Sequence, residues 1–410
     1  MAPQTETDCT ERLKSHIPAL LSLWRGNQKK DPLNPLELKS VSASLLELQR
    51  GLTGERNLAG AGYMEKNSHL GAYLLYYWPV TYMQISSAAS LSARLKKMCL
   101  EKDSVSILDV GSGPGPASFA LCDFILGVRD EKSGGKKSLP ALEVTLVDSS
   151  KKALSLAKKI FGRENPSVKV TVLELDLQKD FPNLSQDAKF DIIVMSHALN
   201  ELWKNQKDCT ARRTELLIRL GKHIGDGEML FLSEPALLET SRSLISVRDN
   251  LIQNGFSVLS PCLKNAPCPA LTAGENHTCH AEIKWTPCEP VASIARNAKL
   301  DRDSVKESFF ILGKNEPEKS EDKTEDGKRF RIVSDAMLNK SGRVRFLICD
   351  GERRIPLSAK KDDAYAASLG FFSLRRYDTI TLENPELRGD KNSPAYGIKS
   401  DSLLKVENRI

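Results

Sequence analysis

The chain has 410 residues, 40% of them hydrophobic and 27% charged, with a formal net charge of +6. That composition describes a folded protein of two or three domains and excludes intrinsic disorder. No apolar run approaches the ~20 residues of a membrane-spanning helix, and the mild basicity permits an RNA partner without demanding one.

The opening MAPQTETDCTERL carries acidic residues and no apolar core. It reads neither as a secretory signal nor as an Arg-rich, acid-poor transit peptide, so a bacterial cytoplasm is the expected compartment and a eukaryotic organelle the alternative. Residues 1–100 read as a helical region. Leu36, Leu38, Val41, Leu45, Leu46 and Leu48 recur near a helical repeat, with Pro32 and Pro35 at the entry. GLTGERNLAG (51–60) reads as a loop. Residues 63–85 are apolar and aromatic, and Pro79 is expected to kink or split that helix.

From residue 104 strands alternate with helices: SILDV (106–110), EVTLVD (143–148), VKVTVLELDL (168–177), FDIIVMSH (190–197), GEMLFLSEP (227–235), FSVLSPC (256–262) and SFFILGK (308–314), with helices at 151–161 and 241–255. This is the pattern of an α/β doubly wound sheet over 101–318. DEKSGGKKSLP (130–140) reads as a solvated loop before the second strand, and 319–330 as a linker. Residues 331–410 read as a basic β domain, RFRIVSDAM and GRVRFLICD followed by a polar run. Within 331–361 eight basic side chains (among them Arg343, Arg345, Arg353, Arg354, Lys360 and Lys361) face three acidic ones, enough to neutralise phosphates in a salt-dependent way or to form a solvated strand face. Arg343 and Arg345 alternate onto one face of their strand.

Asp109-Val-Gly-Ser-Gly-Pro-Gly follows the first strand and opens a helix. Gly111, Gly113 and Gly115 let a ligand approach the backbone, and the helix start offers free N–H groups. Asp148 ends the second strand, where a carboxylate can accept from two ribose hydroxyls. The spacing is G-x-G-x-G, not the G-x-G-x-x-G of a dinucleotide fold. It resembles the first motif of class I S-adenosylmethionine-dependent methyltransferases. That resemblance places the adenine near Asp176 and the substrate-facing motif at Ser196-His197-Ala198-Leu199-Asn200-Glu201-Leu202. No Asn/Asp-Pro-Pro-Tyr or Pro-Cys motif follows the fourth strand; His197 and Glu201 are the candidate bases, with packing and capping as their alternative roles.

Cys262, Cys268, Cys279 and Cys288 crowd into an insertion at 260–290, spaced C-x5-C-x10-C-x8-C in loops rich in Pro, Gly and Asn. Thiols in such loops point to metal, and the absence of tight C-x2–4-C hairpins favours an iron–sulfur cluster over zinc. His277 and His280 are further candidate ligands. A methyltransferase-like sheet whose sixth strand runs into Pro-Cys-x5-Cys-Pro and then Cys-His resembles the small-ribosomal-subunit assembly factors of the Rsm-twenty-two type, found in mitochondria and bacteria. GLTGERNL, GYM and HLGAYLLYYWPVTY (within 51–82), GSGPG and GRVRFLICD match that pattern. The resemblance implies a [4Fe-4S] cluster on Cys262, Cys268, Cys279 and Cys349, although Cys288 is the nearer fourth cysteine by sequence. It also implies S-adenosylmethionine binding, a role in assembly or translation with the small ribosomal subunit and its rRNA as partners, no membrane, and a chain monomeric away from the ribosome. The rival expectations are an active rRNA methyltransferase and a small-molecule methyltransferase with structural zinc.

Overall fold

The computed structural model describes residues 4–58, 62–133, 138–314, 328–390 and 394–409. The helical N-terminal region is α1 (Gln4–Arg25), α2 (Pro35–Gln49), α3 (Asn67–Ala72), α4 (Trp78–Ser90) and α5 (Ala93–Glu101). α2 starts on a capping box: the Asn34 side chain accepts from the Leu36 and Glu37 amides, and Glu37 accepts from the Asn34 amide. Pro79 lies in the first turn of α4, and the helical run is split just upstream of it by a wide turn at Tyr73–Tyr77. Nearly all of α4 is buried, because a helix that is apolar all round has no face to give to water.

The α/β region continues as β1 (Ser104–Val110), α6 (Pro116–Ser133), β2 (Ala141–Asp148), α7 (Lys151–Glu164), β3 (Lys169–Glu174), β4 (Phe190–Ser196), α8 (Cys209–Leu220), β5 (Ile224–Pro235), α9 (Leu238–Gln253) and β6 (Phe256–Ser260). The Cys-rich insertion holds α10 (Pro269–Thr272), β7 (Ala281–Lys284) and α11 (Val291–Asn297), and β8 (Ser304–Lys314) closes the region. The sheet order is β3-β2-β1-β4-β5-β8-β6, with β7 also on β8. β1 to β5 are parallel, and β8 runs antiparallel to its neighbours. This is the doubly wound, class I methyltransferase-like sheet the sequence predicts. Alternation along β1 sends Ile107 to the core under the N-terminal helices and Leu108 to the core under α8 and α9. The order reverses between β1 and β4, which opens a crevice at their C-terminal ends.

Several sequence expectations are corrected. α8, unmarked by any expected element, packs against α9 through Leu216, Leu217 and Leu220. The loop at 130–140 is helical through Ser133, and 134–137 lie outside the described residues. Most of the linker, up to 327, also lies outside them, while 328–330 already pair in a strand. The polar run to Ile410 is a folded sheet. β9 (Lys328–Ile332), β10 (Met337–Leu338), β11 (Arg343–Cys349), β12 (Arg354–Lys360), α12 (Ala364–Ser368), β13 (Thr379–Glu383), β14 (Glu386–Gly389), β15 (Pro394–Gly397) and β16 (Leu403–Asn408) form the order β14-β15-β12-β11-β9-β13-β16, with β10 on β11. Its core is Phe330, Ile332, Phe346, Ile348, Ile355 and Leu357, single apolar positions spaced through charged strands.

A buried polar cluster fastens α1 to the α/β region. His16 bonds Asp123 through Nε2 and Glu164 through Nδ1, both at 2.8 Å, and Tyr82 donates to Asp123. Burial pulls the His16 pKa down, but the two carboxylates outweigh it and raise the value overall. A raised histidine pKa stabilises fully below its unfolded value of about 6.5, and that contribution is lost as pH rises through the folded value. Urea denaturation should show His16→Ala costing about 2–4 kcal/mol at pH 6 and less at pH 9.

Candidate functional site

Gly111, Gly113 and Gly115 have φ of +72°, +51° and +76°, so each relies on the absence of a side chain. The Gly111 and Ser112 amides donate to Val147 O, which locks the turn across the end of β2. A Cβ on Gly111 would strike Ala198 of the loop after β4. Asp148 accepts from the Gly113 and Ser150 amides, both at 2.8 Å. Asp109 is buried; its Oδ2 accepts from the Ser118 amide, its Oδ1 has no partner, and burial pushes its pKa up to about 7.

A cavity of about 470 Å³ lies over these strand ends. Gly111, Gly113, Asp148, Asp176, Ser196, His197 and Glu201 line it; Asp109 and Gly115 do not, and support the turn from behind. Asp176 lies past the end of β3, not within it as expected. The roof comes from the N-terminal region: Tyr63, Met64, Tyr73, Tyr77, Thr81 and Gln84. Sequence reading noted these residues as a family signature and missed them as a wall. The available signal was three tyrosines in an apolar stretch otherwise destined for the core, since a buried phenol calls for a polar neighbour.

His197 sits at φ +56°, its Nε2 is 2.8 Å from Gln84 Oε1, and Gln84 Nε2 donates to Lys306 O. Gln84 is thereby oriented to accept, which assigns the proton to Nε2. Burial pushes the His197 pKa down to about 4. The ring is neutral at pH 7 and a poor proton acceptor, which favours packing over catalysis for this residue. Behind it Glu234 accepts from Asn200, with its pKa pushed up to about 8 by burial.

The cysteines divide. Cys262 follows β6, Cys268 precedes α10, Cys279 precedes β7, and Cys349 ends β11 in the other sheet. Burial raises the Cys268 thiol, and Cys279 and Cys262 raise it further; burial pushes the Cys349 thiol up to about 12, again with contributions from Cys279 and Cys262. Cys268 and Cys349 thus each lie within electrostatic reach of Cys279 and Cys262. Cys279 Sγ is 3.4 Å from the Tyr377 hydroxyl, and the Gly351 amide donates to Cys349 Sγ at 3.4 Å. Cys288 is elsewhere, buried beside Lys14, Glu289 and Glu11. His277 is exposed, and His280 lies among Arg376, Glu282, Asp335 and Lys306. Among the described residues no group of three or more His, Cys, Asp or Glu could hold a metal ion.

The basic tail is smaller than its sequence suggests. Arg354 turns inward to donate to Thr278 O, Arg353 pairs with Asp350, and Arg343 bonds Ser358. Arg345, Lys360 and Lys361 remain exposed.

A family model described as mitochondrial small ribosomal subunit Rsm22 matches residues 67–365, from α3 through Cys349 into α12. The chain belongs to the Rsm22 family. No curated protein matches it. Solved structures similar to this Rsm22-family chain include magnesium protoporphyrin IX methyltransferase from Synechocystis (13% identity, 67% of this chain and 97% of that one, TM-score 0.34), TehB from Haemophilus influenzae (13%, 57% and 62%, 0.31) and a methyltransferase from Pyrococcus furiosus (15%, 53% and 80%, 0.29). Likenesses this distant carry no argument about chemistry. Among the described residues no helix is long and apolar enough to cross a membrane.

Glu307 lies under the crevice, fully buried, with Ser233 donating to its Oε2 and no partner on Oε1; burial pushes its pKa up to about 7. A raised carboxyl pKa means the folded state holds the proton more tightly, so stability falls as pH rises from the unfolded value through the folded one. Glu307→Gln should flatten the decline between about pH 4.5 and 8 and stabilise the protein at pH 8 by about 2–3 kcal/mol, read by denaturant titration across pH.

Proposed function

We propose that this chain is a small-ribosomal-subunit assembly or translation factor. In this reading the methyltransferase-like domain binds S-adenosylmethionine, and four cysteines hold an iron–sulfur cluster that fixes the basic C-terminal domain for rRNA contact. Family membership supports the ribosomal half. The observation that carries the rest is the approach of Cys349 to Cys262 and Cys279 from a separate sheet, with Cys288 left out.

The nucleoside would be held by Asp148 through its ribose hydroxyls and by Asp176 near the base, with its charged end against the Gly111–Gly115 turn. Bound there, S-adenosylmethionine supplies an electrophilic methyl group. Of the two candidate bases lining the cavity, Glu201 and His197, the histidine is tied to Gln84 and weakly basic. That favours a binding role over turnover, and so the assembly reading over the rRNA methyltransferase.

Four cysteines suit a cubane, which takes cysteine thiolates at its irons, and loops without tight C-x2–4-C hairpins are less usual for zinc. The surroundings suit an anionic inorganic group. The Gly351 amide points at a sulfur, and Arg248 Nε, Thr278 Oγ1, Arg331 Nε and Arg354 Nε are shielded from solvent and without partners. When bound, the cluster supplies a bridge between the sheets, so metal binding becomes free energy of domain docking. The site of action is wherever the small subunit assembles, a bacterial cytoplasm or a mitochondrion, and Arg345, Lys360 and Lys361 are the residues offered to rRNA.

Sedimentation with purified small subunits tests this. Loaded protein should co-sediment, with affinity falling steeply with salt, and a chelator should weaken binding at least tenfold. Asp148→Ala should abolish S-adenosylmethionine binding by calorimetry. Multiple turnover with labelled cofactor on subunit RNA would overturn the assembly reading in favour of the enzyme.

A further inference from the structure

The seam between the sheets holds two half-buried arginines, Arg331 and Arg354, that no carboxylate pairs among the described residues. Arg331, on β9, donates through Nη1 to Tyr377 O at 2.7 Å and lies 5.8 Å from the centre of the Tyr377 ring. Both partners are neutral. Its Nε is sealed from solvent and bonds nothing. Among the described residues no carboxylate forms an ion pair with it. Asp378, 1% exposed and within electrostatic reach of Arg331, is engaged by Arg409 at 3.7 Å and by the Arg375 amide. Arg331 stands opposite Cys349 in the pairing of β9 with β11, and Tyr377, Cys262 and Cys279 favour its charge.

Arg354, on β12, repeats the pattern. Its Nη2 donates to Thr278 O at 2.6 Å, its Nε is shielded and unpartnered, and no carboxylate pairs with it among the described residues. Arg248, on α9, is 1% exposed and lies beside Cys262 and Cys268; Asp249 pairs with it, yet its Nε also has no partner. Thr278 Oγ1, next to Cys279, is a fourth shielded group without a partner. Shielding a guanidinium N–H from water without a partner is costly, and a neutral side chain of similar size would fold at least as well. Four orphaned groups around the same thiols mark the place of an anion.

We propose that Arg331, flanked by Arg354 and Arg248, is a positioning residue that compensates the negative charge of the inorganic group on Cys262, Cys268, Cys279 and Cys349 and sets its reduction potential. This rests on the cluster reading above. A thiolate-bound iron–sulfur cluster is anionic and gains a further negative charge on reduction, so a nearby cation stabilises the reduced form most. Removing that cation makes reduction harder.

The test uses the full chain, reconstituted anaerobically with iron and sulfide, as wild type, Arg331→Met and Arg331→Lys. Iron and acid-labile sulfide are measured first, then the midpoint potential in a dye-mediated titration with dithionite. Arg331→Met should keep its iron, since all four thiols remain, and its potential should shift to more negative values, while Arg331→Lys stays closer to wild type. Metal-free Arg331→Met should melt at or above the wild-type temperature, because a shielded N–H without a partner has been removed. An unshifted potential in iron-loaded Arg331→Met would overturn the role of Arg331 and leave the cluster reading standing. A lower melting temperature of the metal-free variant would make Arg331 an ordinary structural residue and also overturn it. Wild-type protein that takes up no iron would overturn the cluster reading, and this inference with it.

Discussion

The architecture turns on one junction, where β11, ending in Cys349, and the turn after it come against the loop that leaves β6. Each sheet has its own apolar core. What joins them is mostly polar: Lys264 with Glu352, Arg354 with the Thr278 carbonyl, Tyr377 with Cys279 and with the ring of Phe309. Isolated polar contacts of this kind contribute little individually. A bond from each side to a shared inorganic group would convert a weak contact into a fixed geometry, and the position of the basic strands would then depend on metal.

The same economy marks the ligand crevice. The doubly wound sheet creates an opening at its switch point whatever the sequence does, and the glycine turn with Asp148 equips it for a nucleoside. The N-terminal helices then roof it with tyrosines and orient His197 through Gln84.

Much of this was legible in the chain because the signals are local. Period-two apolar runs gave β1 to β6 within a few residues, and positive-φ demands at Gly111, Gly113 and Gly115 gave the turn. The polar run after Cys349 was illegible for the opposite reason: its strands expose one face and bury only isolated positions such as Ile380, Leu382 and Leu404, too sparse for a periodicity. α8 hid behind a charged stretch whose buried leucines are few. The partition of cysteines was half legible. Spacing favoured Cys288 and the family resemblance Cys349, and the pairing of β11 with β9 and β12, which carries Cys349 toward the loop cysteines, supports the latter. The orphaned arginines had no sequence signal, since Arg331 and Arg354 resemble a solvated basic strand until burial is known.

The most direct measurement of the central claim is iron content and anaerobic visible absorption of Cys349→Ser beside Cys288→Ser. The account predicts that Cys349→Ser loses the chromophore and most of its iron, while Cys288→Ser keeps both. The reverse pattern, or full iron in Cys349→Ser, would contradict it.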